Sequence, residues 1–388
     1  MSALQNTQSQ GPTTILQCKN VTKVYGKKVI LDRANLSIQR KDIFGLIGSS
    51  GSGKTTLLEI LIGSERPEEG DVLFQPVHLL ESKKQHMFSV FRKRNEVKKS
   101  FGFAAQEPSF YPKLTVKENL FYFASLYGLP RGEANSNVTT LVELLDLSDS
   151  IDERAENLSG GMQKRLDIGC ALIHDPSVLI LDEPTSNLDP LLRKQMWDLI
   201  KKINKRGTTI LLASHFLDEV EAVCNSIAIL HNHKIIKTGS PESVKGLLSQ
   251  TDVIYLETSP GDYDKIKAKL SEEKHIKINS IVVDGKKLVI HTPVAEKVLH
   301  DILHILEKTS ETLIDVDVAK PGLSQIFEEL ERREKLGLED DDLVKESDDL
   351  TAHIVDKSKS ADSEKSSDEK SQVKSNSQLK DESQVSEK

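Results

Sequence analysis

This 388-residue chain is sparing with several residue types, and each shortage excludes something. Its three cysteines, Cys18, Cys170 and Cys224, lie far apart in sequence, without metal-ligand spacing. They fit a reducing cytosol and the role of small apolar core residues. No run approaches the roughly 18 apolar residues of a membrane-spanning helix. The opening MSALQNTQSQGP has neither the basic start nor the apolar stretch of a secretory signal. Together these absences set the expectation of a chain that neither spans a membrane nor is secreted. Hydrophobic residues make up 37%, low for a uniformly globular chain, so part of it is expected not to fold. A net charge of −8 disfavours binding of nucleic acid by the whole chain, unless that charge is unevenly spread. The length suggests two or three modules, at roughly 150 residues each.

The charge is in fact very uneven. Residues 339–388 hold 15 Asp plus Glu and 8 Lys, a net of −7, with eleven serines and no aromatic residue, glycine or proline. Such a segment buries too little apolar surface to offset its ordering entropy, and reads as a disordered acidic tail. Residues 1–338 carry 45 acids against 44 bases and are close to neutral. Residues 1–12 read as a short disordered lead-in.

What remains divides near residue 240. Residues 13–240 alternate apolar runs with amphipathic stretches, the pattern of an α/β domain. VLILDEP (178–184) and TTILLASH (208–215) have the character of buried parallel strands. Residues 251–336 read as a smaller α+β unit in strand–helix–strand–strand–helix–strand order, the split βαβ or ferredoxin-like arrangement. Its hairpin is expected to turn at Asp284-Gly285, and a last helix follows Pro321.

The most specific chemistry lies at residues 43–56, IFGLIGSSGSGKTT. An apolar strand runs into Gly48, Ser49, Ser50, Gly51, Ser52, Gly53, Lys54, Thr55 and Thr56, and then into an apolar helix. This is G-x-x-x-x-G-K-[ST] in its strand–loop–helix setting. Glycines let the backbone N–H groups face phosphates, and the helix N-terminus adds partial positive charge. Lys54 is placed to reach the β- and γ-phosphates, and Thr55 to put its hydroxyl on Mg²⁺. Downstream, an apolar strand ends in Asp182 and Glu183. An Asp there can hold the Mg²⁺, and the next carboxylate can polarise an attacking water.

With Leu158-Ser159-Gly160-Gly161-Met162-Gln163 added, the sequence resembles the ATP-binding cassette (ABC) ATPases. Ser159 can cap the helix that follows while Gly160 and Gly161 leave backbone N–H groups bare, a second anion-binding end. Met162 stands where the family most often has glutamine. The resemblance implies further roles. Tyr25 matches the aromatic that stacks on adenine. Gln106 matches the glutamine that senses Mg²⁺ and the membrane partner. Ser186-Asn187-Leu188-Asp189 matches the loop that touches the opposite subunit, and His215 the switch histidine on the γ-phosphate. Glu183, His215, Lys54 and Gln106 are thus the expected catalytic set. Thr55, Gln106 and Asp182 are the expected Mg²⁺ set, and ATP is the expected nucleotide. The implied fold is a P-loop cassette: a mixed-sheet core, an antiparallel β subdomain and a helical signature subdomain.

One phosphate loop and one signature imply dimerisation around two ATP molecules, with a homodimer or a paralogous subunit as partner. Without a spanning segment, transport implies a separate transmembrane permease and a peripheral place on the cytoplasmic face of the membrane. LTVKENLFYFASLYGL and the close KPGLSQIFEELER resemble the type-2 exporter branch. Residues 76–100 are longer than usual and carry seven Lys plus Arg against two Glu. That stretch reads as a solvated hairpin or short helix, as a contact to membrane or permease, or as a dock for the acidic tail. A soluble ATPase working on ribosomes or DNA is the alternative. The single unsplit cassette and near-neutral folded region fit it poorly, and no nucleic acid is expected.

Overall fold

The computed structural model of the protein describes residues 14–76, 87–245, 252–272, 277–309, 311–319 and 322–335. The expected lead-in, the acidic tail and Lys83 and Lys84 of the basic stretch lie outside these residues. The chain forms two compact units: Met1–Lys245 with Pro321–Glu331, and Gly246–Lys320 with Arg332–Lys388.

The first unit opens with the long strands β1 (Thr14–Tyr25) and β2 (Lys28–Gln39), followed by β3 (Ile43–Ile47) and α1 (Lys54–Leu61). Then come β4 (Glu69–Phe74), β5 (Phe88–Ser89), α2 (Arg94–Ser100) and β6 (Phe101–Ala104). Helices α3 (Val116–Leu126), α4 (Arg131–Leu144) and α5 (Gly160–Leu172) follow, then β7 (Val178–Asp182) and α6 (Pro190–Lys205). The unit closes with β8 (Thr209–Ser214), α7 (Leu217–Val223), β9 (Ser226–His231), β10 (Lys234–Gly239) and α8 (Pro241–Lys245).

Two sheets result. The order β2-β1-β4-β5 is antiparallel, and β10-β9-β3-β8-β7-β6 is parallel except for β10. Strands β3, β7 and β8 are buried at every position, so their sequences need no polar alternation. Helix α1 turns Leu57, Leu58, Ile60 and Leu61 into a core shared by both sheets, with Leu16 and Phe74 from one and Phe44, Leu46 and Ile180 from the other. Each fully buried leucine contributes about 1.5–3 kcal/mol of transfer free energy. Phe74 also meets Phe101 edge-on at 4.7 Å, tying β4 to β6.

Local signals start the helices where they are needed. Thr115 and Glu118 form a reciprocal capping box at the head of α3. Asn119, fully buried, accepts from Tyr111 N at 2.7 Å and donates to the carbonyls of Tyr111, Leu114 and Thr115, which pins the loop entering that helix. Asp189 caps α6 and Pro190 takes its first position. Of the basic stretch, the described part is the short strand β5 and the short helix α2, with Val97 buried and Arg92, Lys93 and Arg94 exposed. All three cysteines are buried, and burial pushes the Cys18 thiol up to about 12.

The second unit contains β11 (Asp252–Ser259), α9 (Tyr263–Glu272), β12 (Ser280–Asp284), β13 (Lys287–Thr292), α10 (Ala295–Thr309) and β14 (Thr312–Ala319). Its sheet has the order β12-β13-β11-β14, antiparallel throughout. Ile266 and Leu270 of α9 and Val298, Ile302 and Ile305 of α10 pack on Ile254, Leu256, Leu288 and Ile290. Two details differ from expectation. Asp284 pairs with Lys287, so the turn is Gly285-Lys286 and not Asp284-Gly285, because the aspartate still belongs to the ladder. Helix α11 (Leu323–Lys335) is divided: Pro321–Glu331 group with the first unit, where sequence order had placed them in the second. Its Leu323, Ile326 and Leu330 are fully buried at helical spacing.

Two packing features generate predictions. At Gly102 in β6 an added Cβ would stand 2.2 Å from the carbonyl oxygen of Ala171 in α5. Gly102→Ala should therefore lower stability by about 1–3 kcal/mol in urea unfolding, because backbone cannot yield as a side chain can. His174 stacks on Tyr127 at 3.6 Å, and its Nε2 donates to Phe101 O at 3.1 Å. Burial lowers its pKa from 6.5 to about 4, and Nδ1 has no hydrogen-bond partner. The unfolded chain then binds a proton that the native imidazole refuses. This contribution to stability is present above pH 6.5 and fades as pH falls toward 4. The urea midpoint of His174→Gln should decline less than that of the parent between pH 7 and 5; parallel declines would remove this assignment.

Candidate functional site

The parallel order β3-β8-β7 brings three strand ends to one edge. Ile47 of β3 leads into Gly48, Asp182 ends β7, and β8 ends at Ser214 beside His215. Such carboxyl ends are where open α/β sheets place their sites.

The loop from Gly48 to Gly53 is shaped by its neighbours. A Cβ at Gly48 would meet Leu230 O at 2.5 Å and Ser52 Oγ at 2.6 Å. Gly53 caps α1 with φ of 105°, left-handed backbone that favours glycine, and no side chain caps that helix end. The amides of its first turn therefore lack a side-chain acceptor. Ser52 Oγ is buried and has no partner. A buried orphan hydroxyl beside an uncapped helix end fits an anionic ligand such as a phosphate chain. Ser49, Ser50 and Gly51 are exposed along the mouth of the loop.

Five of the anticipated residues form one connected cluster. Lys54 is buried; its Nζ donates to Gly48 O at 3.0 Å and Ser49 O at 3.1 Å, and lies 3.7 Å from Glu183 Oε1. Thr55 donates its hydroxyl to Asp182 Oδ2 at 2.7 Å. His215 Nδ1 stands 2.8 Å from Glu183 Oε2. Burial pushes the Lys54 pKa down, against Glu183 and Asp182, which favour its charged form. Burial pushes the Asp182 pKa up, while the Thr55 hydroxyl opposes that rise. The hydroxyl and carboxylate oxygens of Thr55 and Asp182 are the donor set of a hard divalent cation such as Mg²⁺. Thr56 is half-buried behind them in α1.

Glu183 itself has φ of 50°, a left-handed backbone that side-chain-bearing residues seldom adopt. Its N–H donates to Ala213 O at 3.0 Å, and Ser186 N donates to its carbonyl at 3.1 Å. No sequence signal announced this conformation.

The remaining residues stand apart from the cluster. Tyr25 is 47% exposed, a free aromatic surface at the end of β1. Lys23, two residues earlier and so on the same strand face, lies 4.9 Å from its ring centroid. Glu65 at 2.6 Å and Glu68 at 3.2 Å hold that lysine. The period of two could have suggested Lys23; its carboxylates come from elsewhere in the fold. Gln106 is exposed, and its carbonyl accepts from Lys164 of α5 at 2.9 Å. Ser109 N and Oγ donate to Asp167 of the same helix at 2.8 and 2.7 Å. The glutamine loop is therefore fastened to α5. Ser159 caps that helix, accepting from Met162 N at 3.4 Å. Gly160 opens onto free space, and Gly161 lies against Leu192. Among the described residues no hydrogen bond or ion pair joins Ser159, Gly160 or Gly161 to the phosphate loop.

The ABC transporter family profile matches residues 31–186. The linearmycin resistance ATP-binding protein LnrL of Bacillus subtilis is 30% identical over 315 residues, 81% of this chain and 97% of that protein. The Nod factor export ATP-binding protein I of Cupriavidus metallidurans is 35% identical over 234 residues, 60% of this chain and 73% of that one. Among solved structures, a nucleotide-free ATP-binding cassette from an ABC transporter superposes with a TM-score of 0.53 at 25% identity, covering 61% of this chain and 96% of the other. The cbiO1 subunit from Clostridium perfringens superposes with a TM-score of 0.52 at 28% identity, covering 60% and 90%. With the site assembled on that fold and a relative matched over nearly its whole length, the chain belongs to the ATP-binding proteins of the ABC transporter family.

Proposed function

We propose that this chain is the ATP-hydrolysing subunit of an ABC exporter, closing as a dimer on ATP to drive a separate transmembrane permease. The observation that carries the reading is the cluster of Lys54, Thr55, Asp182, Glu183 and His215 at one sheet edge. Glu183 polarises the water that attacks the γ-phosphorus in line, and the bond to the β-phosphate oxygen breaks. His215, hydrogen-bonded to Glu183, contacts the γ-phosphate. Lys54 neutralises charge on the β- and γ-phosphates, and the amides from Gly48 to Thr56 cradle the chain of phosphates. Tyr25 offers its exposed face to adenine. Thr55 and Asp182 would hold Mg²⁺, which when bound supplies further charge neutralisation, and the family resemblance adds Gln106 to that set. Ser159, Gly160 and Gly161 of the opposite subunit complete each site. Their isolation from the phosphate loop within one chain supports that division of labour.

The exporter reading is supported by the relatives, named for linearmycin resistance and for Nod factor export. No helix among the described residues is long and apolar enough to cross a membrane, which fits a permease on another chain. The chain would then sit peripherally on the cytoplasmic face of the membrane. The second unit is a ferredoxin-like accessory domain in this reading; its sheet order and antiparallel pairing support it. The described bases Arg92, Lys93 and Arg94 are exposed and available to a permease or an anionic lipid surface.

Glu183→Gln should lower ATP turnover roughly a hundredfold or more. It should also sediment as a dimer in ATP and Mg²⁺; a variant that stays monomeric there would remove the two-site sandwich. A chain ending at residue 338 should hydrolyse ATP at the parental basal rate, since the tail carries no site residue. A large loss would give the tail a part in catalysis.

A further inference from the structure

A second polar network joins α6 and α7 to the loop before α6, and its charged side chains, Arg193 and Glu219, have been given no role above. Glu219 of α7 accepts from Trp197 Nε1 of α6 at 2.8 Å and from the Thr185 hydroxyl at 3.3 Å. Its other oxygen stands 3.4 Å from a terminal guanidinium nitrogen of Arg193. Arg193 in turn donates Nε–H to Leu188 O at 2.8 Å. Its guanidinium carbon lies 3.9 Å from the centroid of the Phe216 ring, and that ring lies 4.1 Å from the ring of His215.

Arg193 is thus held on three sides at once. One contact is the backbone of the loop Ser186-Asn187-Leu188-Asp189. The second is a carboxylate anchored on a buried tryptophan and a buried threonine. The third is the ring next to His215. Arg193 and Glu219 side chains are only 26% and 22% exposed, so solvent screens the pair less than it would a surface pair. Only a planar guanidinium can stack on an aromatic face while its edge donates to a carbonyl and a carboxylate; an ammonium cannot do all three. Removing it would leave Glu219 with two neutral donors and no counter-charge, and would free the loop carbonyl.

We propose that Arg193 and Glu219 are positioning residues that lock the Ser186–Asp189 loop and His215 into a single geometry. The loop's contact with the opposite subunit and the presentation of His215 to the γ-phosphate are then set together. This inference rests on the role proposed above for His215 and on the contact with the opposite subunit that the family resemblance implies for that loop. Neither Arg193 nor Glu219 lies among the residues that bind nucleotide. Their loss should therefore fall on the chemical step and spare ATP binding.

The test uses the full chain and steady-state ATP hydrolysis. Arg193→Ala, Arg193→Lys and Glu219→Gln should each lower kcat roughly ten- to a hundredfold, with the KM for ATP within about twofold of the parent. Phe216→Leu removes the stack and leaves the ion pair, and should show the same split. The double variant Arg193→Ala/Glu219→Gln should be no slower than the worse single one, because one linkage is broken twice. Trp197 is the only tryptophan in the chain, so the emission of Glu219→Gln reports directly on loss of the carboxylate beside the indole. His215→Ala separates the site itself from the residues that position it. If it keeps parental turnover, the reading of the site itself fails. If it is inactive while Arg193→Ala, Glu219→Gln and Phe216→Leu keep parental kcat, the site stands and the positioning role is overturned. Additive losses in the double variant, or losses that track a lowered unfolding midpoint in all three, overturn it equally.

Discussion

The hydrogen bond from the Thr55 hydroxyl to the Asp182 carboxylate, 2.7 Å long, joins the head of α1 to the end of β7 across 127 residues of chain. It exists only if β3 and β7 end at the same level, with β8 between them. That level is fixed by register. Leu46 pairs with Ala213, and Asp182 pairs with that same Ala213 from the other side. A slip of one residue in either ladder would turn every side chain over and separate the pair. The fully buried strands, the glycine-tight packing of α5 on β6 and the shared core around α1 all serve to hold this alignment.

Electrostatics at that edge follows from the same burial. Lys54 and Asp182 are each pushed toward neutrality by desolvation, and each holds the other toward charge. Glu183 sits between Lys54 and His215, so cation, carboxylate and imidazole form a chain of contacts in place of isolated groups. A ligand carrying several negative oxygens meets uncapped helix amides and a buried ammonium, which exchanges its contacts with Gly48 O, Ser49 O and Glu183 for the incoming oxygens. Membership of the family and the composition of this edge thus reinforce each other.

Much of this was legible in the sequence because it depends on local order. GSSGSGKT between an apolar strand and a helix states its own geometry, as do VLILDE, the serine before Gly160 and the aspartate before Pro190. Contacts that depend on tertiary approach were not legible. Lys23 beneath Tyr25 needs Glu65 and Glu68 brought in from the segment before β4. Arg193 of α6 reaches Glu219 of α7, 26 residues away in sequence, only through tertiary approach. The turn at Gly285-Lys286 was misplaced by one position because Asp284 is favourable both in a turn and at the end of a ladder. The apolar spacing of α11 announces a buried face, but not that Pro321–Glu331 groups with the first unit.

The left-handed backbone at Glu183 has a consequence for which residue this position can carry. Holding a residue with a side chain at φ of 50° costs on the order of 1–3 kcal/mol. Glycine would relieve that strain and erase the carboxylate in the same change. Backbone strain and chemistry therefore pull this position in opposite directions, and loss of the carboxylate would also strip buried Lys54 of its nearest counter-charge. The glutamate is a place where the carboxylate that the chemistry needs stands on backbone that favours glycine.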